Sequence, residues 1–225
     1  MVTAIIVAAG KSERMGGGTD KAFLNLGPKP VVAWSLLAYE KNTDIDRIIL
    51  VVRKDQVTAA KAVARMFGIS KLFKVVPGGS RRQDSVQAGL KEVDVDTRIV
   101  VVHDGARPCV AQDTISDVIK SARRGVASVT GCRIRDAVKI VEKGSSVSST
   151  VDRSKYWVVQ TPQAFPCSML RKAYAAVEAE KKEVLDDSHA VELAGETVKI
   201  CETDKPNIKI TTPEDLQVAT AILKL

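Results

Sequence analysis

Aliphatic runs and amphipathic stretches alternate along the whole chain. Residues 3–7, 47–52, 73–76 and 98–103 are dense in Val and Ile, the pattern of strands buried on both faces of a sheet. Apolar positions recur at helical spacing over 31–40, 58–66, 84–91, 114–124, 168–182 and 213–223, which predicts six helices. The last opens with Thr212-Pro213-Glu214-Asp215: a Thr N-cap, Pro at the first helical position, then two acids at the positive end of the helix dipole. Such alternation implies an α/β fold, a mostly parallel sheet flanked by helices with right-handed crossovers. One segment breaks the rhythm. Two β-prone runs at 137–142 and 147–152 surround Lys143-Gly144 and predict a hairpin. It carries too few apolar residues for a central strand pair. The expectation is a β-arm over about 136–156 projecting from a single domain of 1–225, with a second copy of the chain as the surface it leans on.

Composition narrows the class. The chain has 225 residues, 45% hydrophobic and 27% charged, enough for one domain with a sizeable core. Only 14 Gly and 8 Pro are present, which excludes fibrous and disordered readings. The longest apolar run, Ala4 to Ala9, is far short of the ~20 residues that cross a bilayer. No basic region precedes it, so neither a signal peptide nor a membrane partner is expected. Four scattered cysteines and two histidines leave no zinc-finger or CxxC spacing and suit a cytoplasmic protein with reduced thiols. Were the source a plant or alga, the compartment would be the plastid.

Lys plus Arg total 34 against 27 Asp plus Glu, a net charge of +7. That excess suits an anionic partner, either nucleic acid or a small phosphorylated substrate. No Lys/Arg block exceeds two residues and aromatics are 4%. A basic groove with stacking rings is therefore not expected, and nucleic acid is disfavoured.

The most informative stretch follows the first strand: Ala8-Ala9-Gly10-Lys11-Ser12-Glu13-Arg14-Met15-Gly16-Gly17-Gly18-Thr19-Asp20-Lys21. Open α/β sheets bind ligands at that strand edge. Small residues let the backbone approach a phosphate, and Arg14 and Lys21 supply two cations. A Walker A loop fails because Asp20 and Ala22 flank Lys21. The dinucleotide fingerprint fails as well, with Ser12 and Lys21 where glycines would stand. A plain surface loop fits the spacing too. Asp104, in His103-Asp104-Gly105-Ala106-Arg107-Pro108, stands at a strand end where it can reach a ribose or a divalent cation, or merely close an Asx turn. His103 reads as packed, and His189, in an acidic helix start, as a surface residue. In Pro77-Gly78-Gly79-Ser80-Arg81-Arg82-Gln83-Asp84-Ser85, Gly79, Asp84 and Ser85 could face a base edge, while Ser80 or Asp84 could equally cap the helix. No G-x-S-x-G elbow occurs, so a serine triad has no support.

Six of these pieces, in order, resemble the 2-C-methyl-D-erythritol 4-phosphate cytidylyltransferases. They are Ala8-Ala9-Gly10…Arg14-Met15…Lys21, Gly78-Gly79…Arg82-Gln83-Asp84-Ser85-Val86, His103 to Pro108, Thr150-Val151-Asp152-Arg153, Gln160-Thr161-Pro162-Gln163 and Asn207-Ile208-Lys209-Ile210-Thr211. The resemblance implies a Rossmann-like sheet whose β-arm interlocks a homodimer, and a Mg²⁺-dependent transfer of CMP from CTP to a sugar-alcohol phosphate. It would place Arg14 and Lys21 on the triphosphate as transition-state stabilisers. Ala8, Ala9, Gly10, Gly79 and Ser85 would take the nucleotide, with Asp104 and Gly105 at the ribose and Asp104 near the metal. Arg153 and Lys209 would position the sugar phosphate, with Arg107 and Thr211 beside it. Ser12, Ser80 and Ala137 depart from the residues usual in the family. The competing readings are a ribitol 5-phosphate cytidylyltransferase, sharing the glycine loop and the C-terminal Lys, and a nucleotide-binding module without catalysis.

Overall fold

A computed structural model describes residues 1–10 and 20–225. Seven strands form one sheet in the order β11-β7-β10-β6-β1-β4-β5. They are β1 (Val2–Ala8), β4 (Arg47–Val52), β5 (Leu72–Pro77), β6 (Ile99–Asp104), β7 (Ala127–Arg133), β10 (Trp157–Pro166) and β11 (Val198–Glu202). All pairings are parallel except those of β10, which runs antiparallel to both β6 and β7. Two short pairs stand apart, β2 (Asn25–Leu26) with β3 (Lys29–Pro30) and β8 (Lys139–Ile140) with β9 (Ser149–Thr150). The helices are α1 (Val31–Lys41), α2 (Val57–Met66), α3 (Arg82–Lys91), α4 (Gln112–Arg123), α5 (Cys167–Ala179), α6 (Asp187–Leu193) and α7 (Pro213–Leu223). Among the described residues no helix is long and apolar enough to cross a membrane.

The period of two along the central strands sorts their side chains between two cores. Ala4, Ile6, Ile99 and Val101 pack with residues of α1, α2 and α4, whereas Ile5, Val100 and Val102 pack with those of α3, α5 and α6. The same alternation separates the last two residues of β6. His103 falls on the α1 side, its ring 5.0 Å from that of Tyr39. Asp104 falls on the α3 side, where Arg82 meets it. Helix α3 lies unusually close to the sheet: a Cβ at Gly89 would come within 2.6 Å of Ile5 Cγ2. A helical glycine costs about 1 kcal/mol relative to Ala, and here it is the condition for bringing the α3 N-terminus onto the strand ends.

Three strands absent from the sequence expectation, β7, β10 and β11, build one half of the sheet. β7 is Ala-Ser-Val-Thr-Gly-Cys-Arg, with no aliphatic run. β10 carries Pro162, and its register against β7 shifts between Gln160 and Gln163, which accommodates a residue with no N–H to give. β11 is a five-residue edge strand. The acidic helix start around His189 is not a surface feature, because Asp187 and Ser188 are buried and His189 is half-buried, accepting at Nδ1 from the Leu185 N–H at 3.2 Å. The expected hairpin is present but holds only the pairs Lys139–Thr150 and Ile140–Ser149, and residues 139–150 are exposed throughout.

His103 is fully buried, and its tautomer follows from its partners. Thr161 Oγ1 accepts from the Asp104 N–H at 3.0 Å, leaving its own proton for His103 Nδ1 at 3.1 Å. Nε2 then carries the ring proton toward the Arg107 carbonyl at 3.3 Å. Burial, reinforced by the Arg107 and Lys209 charges and opposed by Asp104, pushes the imidazole down to about 3. The folded state thus refuses a proton that the unfolded chain accepts near pH 6.5, so His103 costs stability as pH falls from there toward 3. Between pH 7 and pH 5 the loss from this group is expected to be ~2 kcal/mol. Urea unfolding of the wild type and His103→Gln at both pH values measures it: the wild type should lose that much more than the variant, and equal losses would refute the assignment.

Candidate active site

Three strand ends meet at one edge of the sheet. The chain leaves β1 at Ala8, β5 at Pro77 and β6 at Asp104, and the backbones approach until side chains have no room. A Cβ at Gly78 would sit 2.5 Å from that of Ala9, and one at Gly105 3.1 Å from that of Ala8. A cleft opens there, its wall including Ala8, Ala9, Gly10, Lys21, Gly79, Ser85, Arg82, Asp104 and Lys209.

Asp104 is the electrostatic centre of the cleft. Its carboxylate accepts from Lys209 Nζ at 2.7 Å and from Arg82 Nε at 3.1 Å, with Arg107 Nε 3.8 Å away. Burial would raise this carboxyl, but Arg82 and Lys209 together outweigh burial and hold it well below the usual carboxylate range. It is an anion at every physiological pH. Arg107 donates through Nη1 to the Asn207 carbonyl at 2.7 Å. Asn207 in turn gives its amide N–H groups to Gln160 Oε1 and the Thr161 carbonyl, so the bulged part of β10 fixes the segment that delivers Lys209.

The glycine turn before α3 is held by its own side chains. Asp84 accepts from the Arg81 N–H at 3.0 Å, the Arg81 guanidinium and the Ser80 hydroxyl, which draws its carboxyl down to about 2. Of the two capping candidates, Asp84 therefore takes the role, while Ser80 only donates to it. The Ser85 hydroxyl accepts from the Gly79 N–H and donates to the Arg81 carbonyl, both at 3.2 Å. Its remaining capacity is one acceptor lone pair.

Near the other wall, Asp20 accepts from the Ala22 N–H at 3.0 Å and caps the short turn Lys21–Phe23, which places Lys21 on the cleft. The turn Arg153–Lys155 is built the same way, on Asp152 and the Ser154 N–H at 3.1 Å.

No group of three His, Cys, Asp or Glu side chains able to hold a metal occurs among the described residues. Two carboxylates, Asp20 and Asp104, stand on the cleft wall, and Mg²⁺ takes one or two protein carboxylates and completes its shell with water and phosphate oxygens.

The family model described as IspD, 2-C-methyl-D-erythritol 4-phosphate cytidylyltransferase, matches residues 2–225. The chain belongs to this family. It is 39% identical over 223 residues to the 2-C-methyl-D-erythritol 4-phosphate cytidylyltransferase of Alkaliphilus metalliredigens, covering 99% of this chain and 92% of the relative. Against that of Caldanaerobacter subterraneus subsp. tengcongensis the identity is 40% over 224 residues, with 99% of both chains covered. The crystal structure of the 4-diphosphocytidyl-2C-methyl-D-erythritol synthase from Anaerococcus prevotii superposes with a TM-score of 0.87 at 32% identity, covering 100% of this chain and 98% of that one. The protein is accordingly a cytidylyltransferase by family, with the Rossmann-like sheet the resemblance implied.

Of the residues that the cytidylyltransferase resemblance singles out, Ala8, Ala9, Gly10, Lys21, Gly79, Ser85, Asp104 and Lys209 line the cleft. Arg14 lies outside the described residues. Gly105 and Arg107 stand behind the wall, the former donating its N–H to the Val7 carbonyl at 2.8 Å. Thr211 gives both its N–H and its hydroxyl to Asp215, each at 2.7 Å, and so secures the start of α7. Arg153 is on the exposed arm, hydrogen-bonded to the Arg135 carbonyl, and is not part of the cleft wall. Arg82 stands in one of the matching motifs, but the sequence carries no signal of its role. Its partners, Asp104 and Asp187, lie 22 and 105 residues away, and no local pattern connects them.

Proposed function

We propose that the chain transfers CMP from CTP to 2-C-methyl-D-erythritol 4-phosphate, giving 4-diphosphocytidyl-2-C-methyl-D-erythritol and pyrophosphate. An oxygen of the alcohol's phosphate attacks the α-phosphorus, a new P–O–P linkage forms, and the bond to the β-phosphate breaks as pyrophosphate leaves. The nucleophile is already anionic, so the step calls for positioning and charge neutralisation rather than a general base. The observation that carries this reading is the cleft itself: an opening at the strand ends lined both by small residues and by Lys21, Arg82 and Lys209.

In this reading Ala8, Ala9, Gly10 and Gly79 form the surface for the base. Ser85, its proton spent on Arg81, offers an acceptor that matches the exocyclic amine of cytosine and not the carbonyl of uracil. Asp104, supported by Gly105 behind it, holds the ribose and is the residue that would hold Mg²⁺, which when bound neutralises charge on the phosphates. Lys21 and Arg14 stabilise the negative charge that grows on the transferring group. Lys209 and Arg153 position the sugar phosphate. Arg107 and Thr211 act at one remove, by holding the segment that carries Lys209. A ribitol 5-phosphate acceptor is the competing alcohol. Pyrophosphate release with each alcohol phosphate separates the two: methylerythritol phosphate should turn over faster, and equal or better use of ribitol 5-phosphate would overturn the assignment.

Lys21→Ala is expected to lower kcat by ~10²–10³-fold with a smaller rise in the CTP KM, as for the loss of one preorganised donor at developing charge. Wild-type turnover by the variant would show that the turn is only structural.

The arm supplies a second residue set through a homodimer. It is an exposed two-pair hairpin, and Ile140, Val141, Val147, Tyr156, Val158 and Val159 around it are exposed. Isolated hairpins are marginal in water, and a surface of this kind calls for a covering partner. A two-fold pairing, the commonest oligomer arrangement, would carry Arg153 to the sugar-phosphate side of the other subunit's cleft. Complementation tests this. Arg153→Ala and Lys21→Ala subunits, each nearly inactive alone, should regain activity when allowed to exchange, because a mixed dimer contains one cleft with neither defect. No gain after demonstrated exchange would place Arg153 and Lys21 in the same subunit's site.

A further inference from the structure

A polar chain runs to the cleft wall from two interior residues that the proposed chemistry does not use. Tyr174 of α5 is 3% exposed and Asp187, the first residue of α6, is 0% exposed. The Tyr174 hydroxyl donates to Asp187 Oδ1 at 2.6 Å, Asp187 Oδ2 accepts from Arg82 Nη2 at 2.8 Å, and Arg82 Nε donates to Asp104 at 3.1 Å. Four groups from α5, α6, α3 and β6 are thus joined end to end, from the protein interior to the cleft wall. We propose that Tyr174 and Asp187 are positioning residues for nucleotide binding, acting through Arg82 on the Asp104 carboxylate.

Arg82 is held at two points, by Asp104 and by Asp187. An arginine side chain has four rotatable bonds before its guanidinium, and a single contact to Asp104 leaves the plane free to swing. A second carboxylate on the other side of the fork fixes that plane. Asp187 can serve because its own carboxylate is set by Tyr174 and its backbone is anchored. Gln163 of β10 binds Asp186 and the Ser188 N–H at 2.9 and 3.1 Å. Gln83, next to Arg82, accepts from the Val184 N–H at 3.0 Å and donates to the Lys182 carbonyl at 3.1 Å. The connection from α5 to α6 is therefore tied to both the sheet and the start of α3. Charge points the same way. The described cleft wall carries Lys21, Arg81, Arg82 and Lys209 against Asp20 and Asp104, a positive surplus for an anionic ligand. With Arg82 committed to the two carboxylates, Asp104 keeps one orientation, which is what a nucleotide-reading group needs.

This inference rests on the reading of the cleft as a CTP site. Tyr174→Phe removes one hydroxyl and keeps the packing. It is expected to raise the CTP KM, and the CTP Kd from direct titration, by about 5–10-fold, the loss expected for a weakened charge-assisted hydrogen bond. The KM for the alcohol phosphate and kcat should stay within about twofold, since the effect is confined to uniform nucleotide binding. Asp187→Asn should behave alike. In an Arg82→Met background, Tyr174→Phe should add nothing, because its only route to the cleft is gone. An unchanged CTP Kd in Tyr174→Phe, an equal effect in the Arg82→Met background, or a fall in kcat with both KM values unchanged would each overturn the proposal, the last being the mark of a smaller folded fraction. Wild-type protein that binds CTP but releases no pyrophosphate would instead defeat the transferase reading, and the Kd comparison would still decide this one.

Discussion

A carboxylate surrounded by cations at the end of a central strand organises this molecule. Asp104 stands where β6 leaves the sheet, and its ion pairs to Lys209 and Arg82, with Arg107 close by, draw in the segment before α7 and the N-terminus of α3. A buried carboxylate costs several kcal/mol unless its lone pairs are taken, so the elements carrying these cations cannot drift independently. The sheet supplies the fixed point: β6 is buried along its whole length between β1 and β10. The close seating of α3 at Gly89 supplies the reach for Arg82.

His103 and Asp104, adjacent in sequence, show how a period of two divides labour at a strand end. The imidazole turns toward Tyr39 and is locked neutral by burial, donating and accepting within the protein. The carboxylate turns toward α3 and stays charged. Thr161 links the two, accepting from the Asp104 N–H while facing the His103 ring. The departure of β10 from regular pairing thus has a consequence in the cleft: the residues around Pro162 that leave the ladder are those that brace Asp104 and Asn207.

How far the sequence discloses this depends on the range over which each feature is encoded. β1, β4 and β6 are aliphatic runs buried on both faces, and their composition alone declares them; the Thr212 cap of α7 is equally local. The cleft loops were legible for the same reason, since Ala8-Ala9-Gly10 and Gly78-Gly79 are contiguous motifs at strand ends. β7 and β10 were not, because Thr130 and Thr161 spend their hydroxyls inside the protein and read as surface when their partners are unknown. Asp187 is the sharpest case. In Asp186-Asp187-Ser188 it looks like solvated charge, and it is buried only because Arg82 and Tyr174 arrive from elsewhere in the chain.

The placement of cations around one buried anion also bears on how a cleft of modest net charge can hold a polyanion. Lys209 is about a third exposed and Arg82 about a quarter, whereas Asp104 is nearly covered. The donors are thus more open to solvent than the carboxylate that fixes them. Lys and Arg divide the task by their chemistry. The ammonium of Lys209 is a compact point charge on a flexible stem and can shift between Asp104 and a ligand, while the Arg82 fork, gripped at both ends, cannot. The fold thus sets a single-contact cation on a flexible stem against a fork held by two carboxylates, both on the same anion.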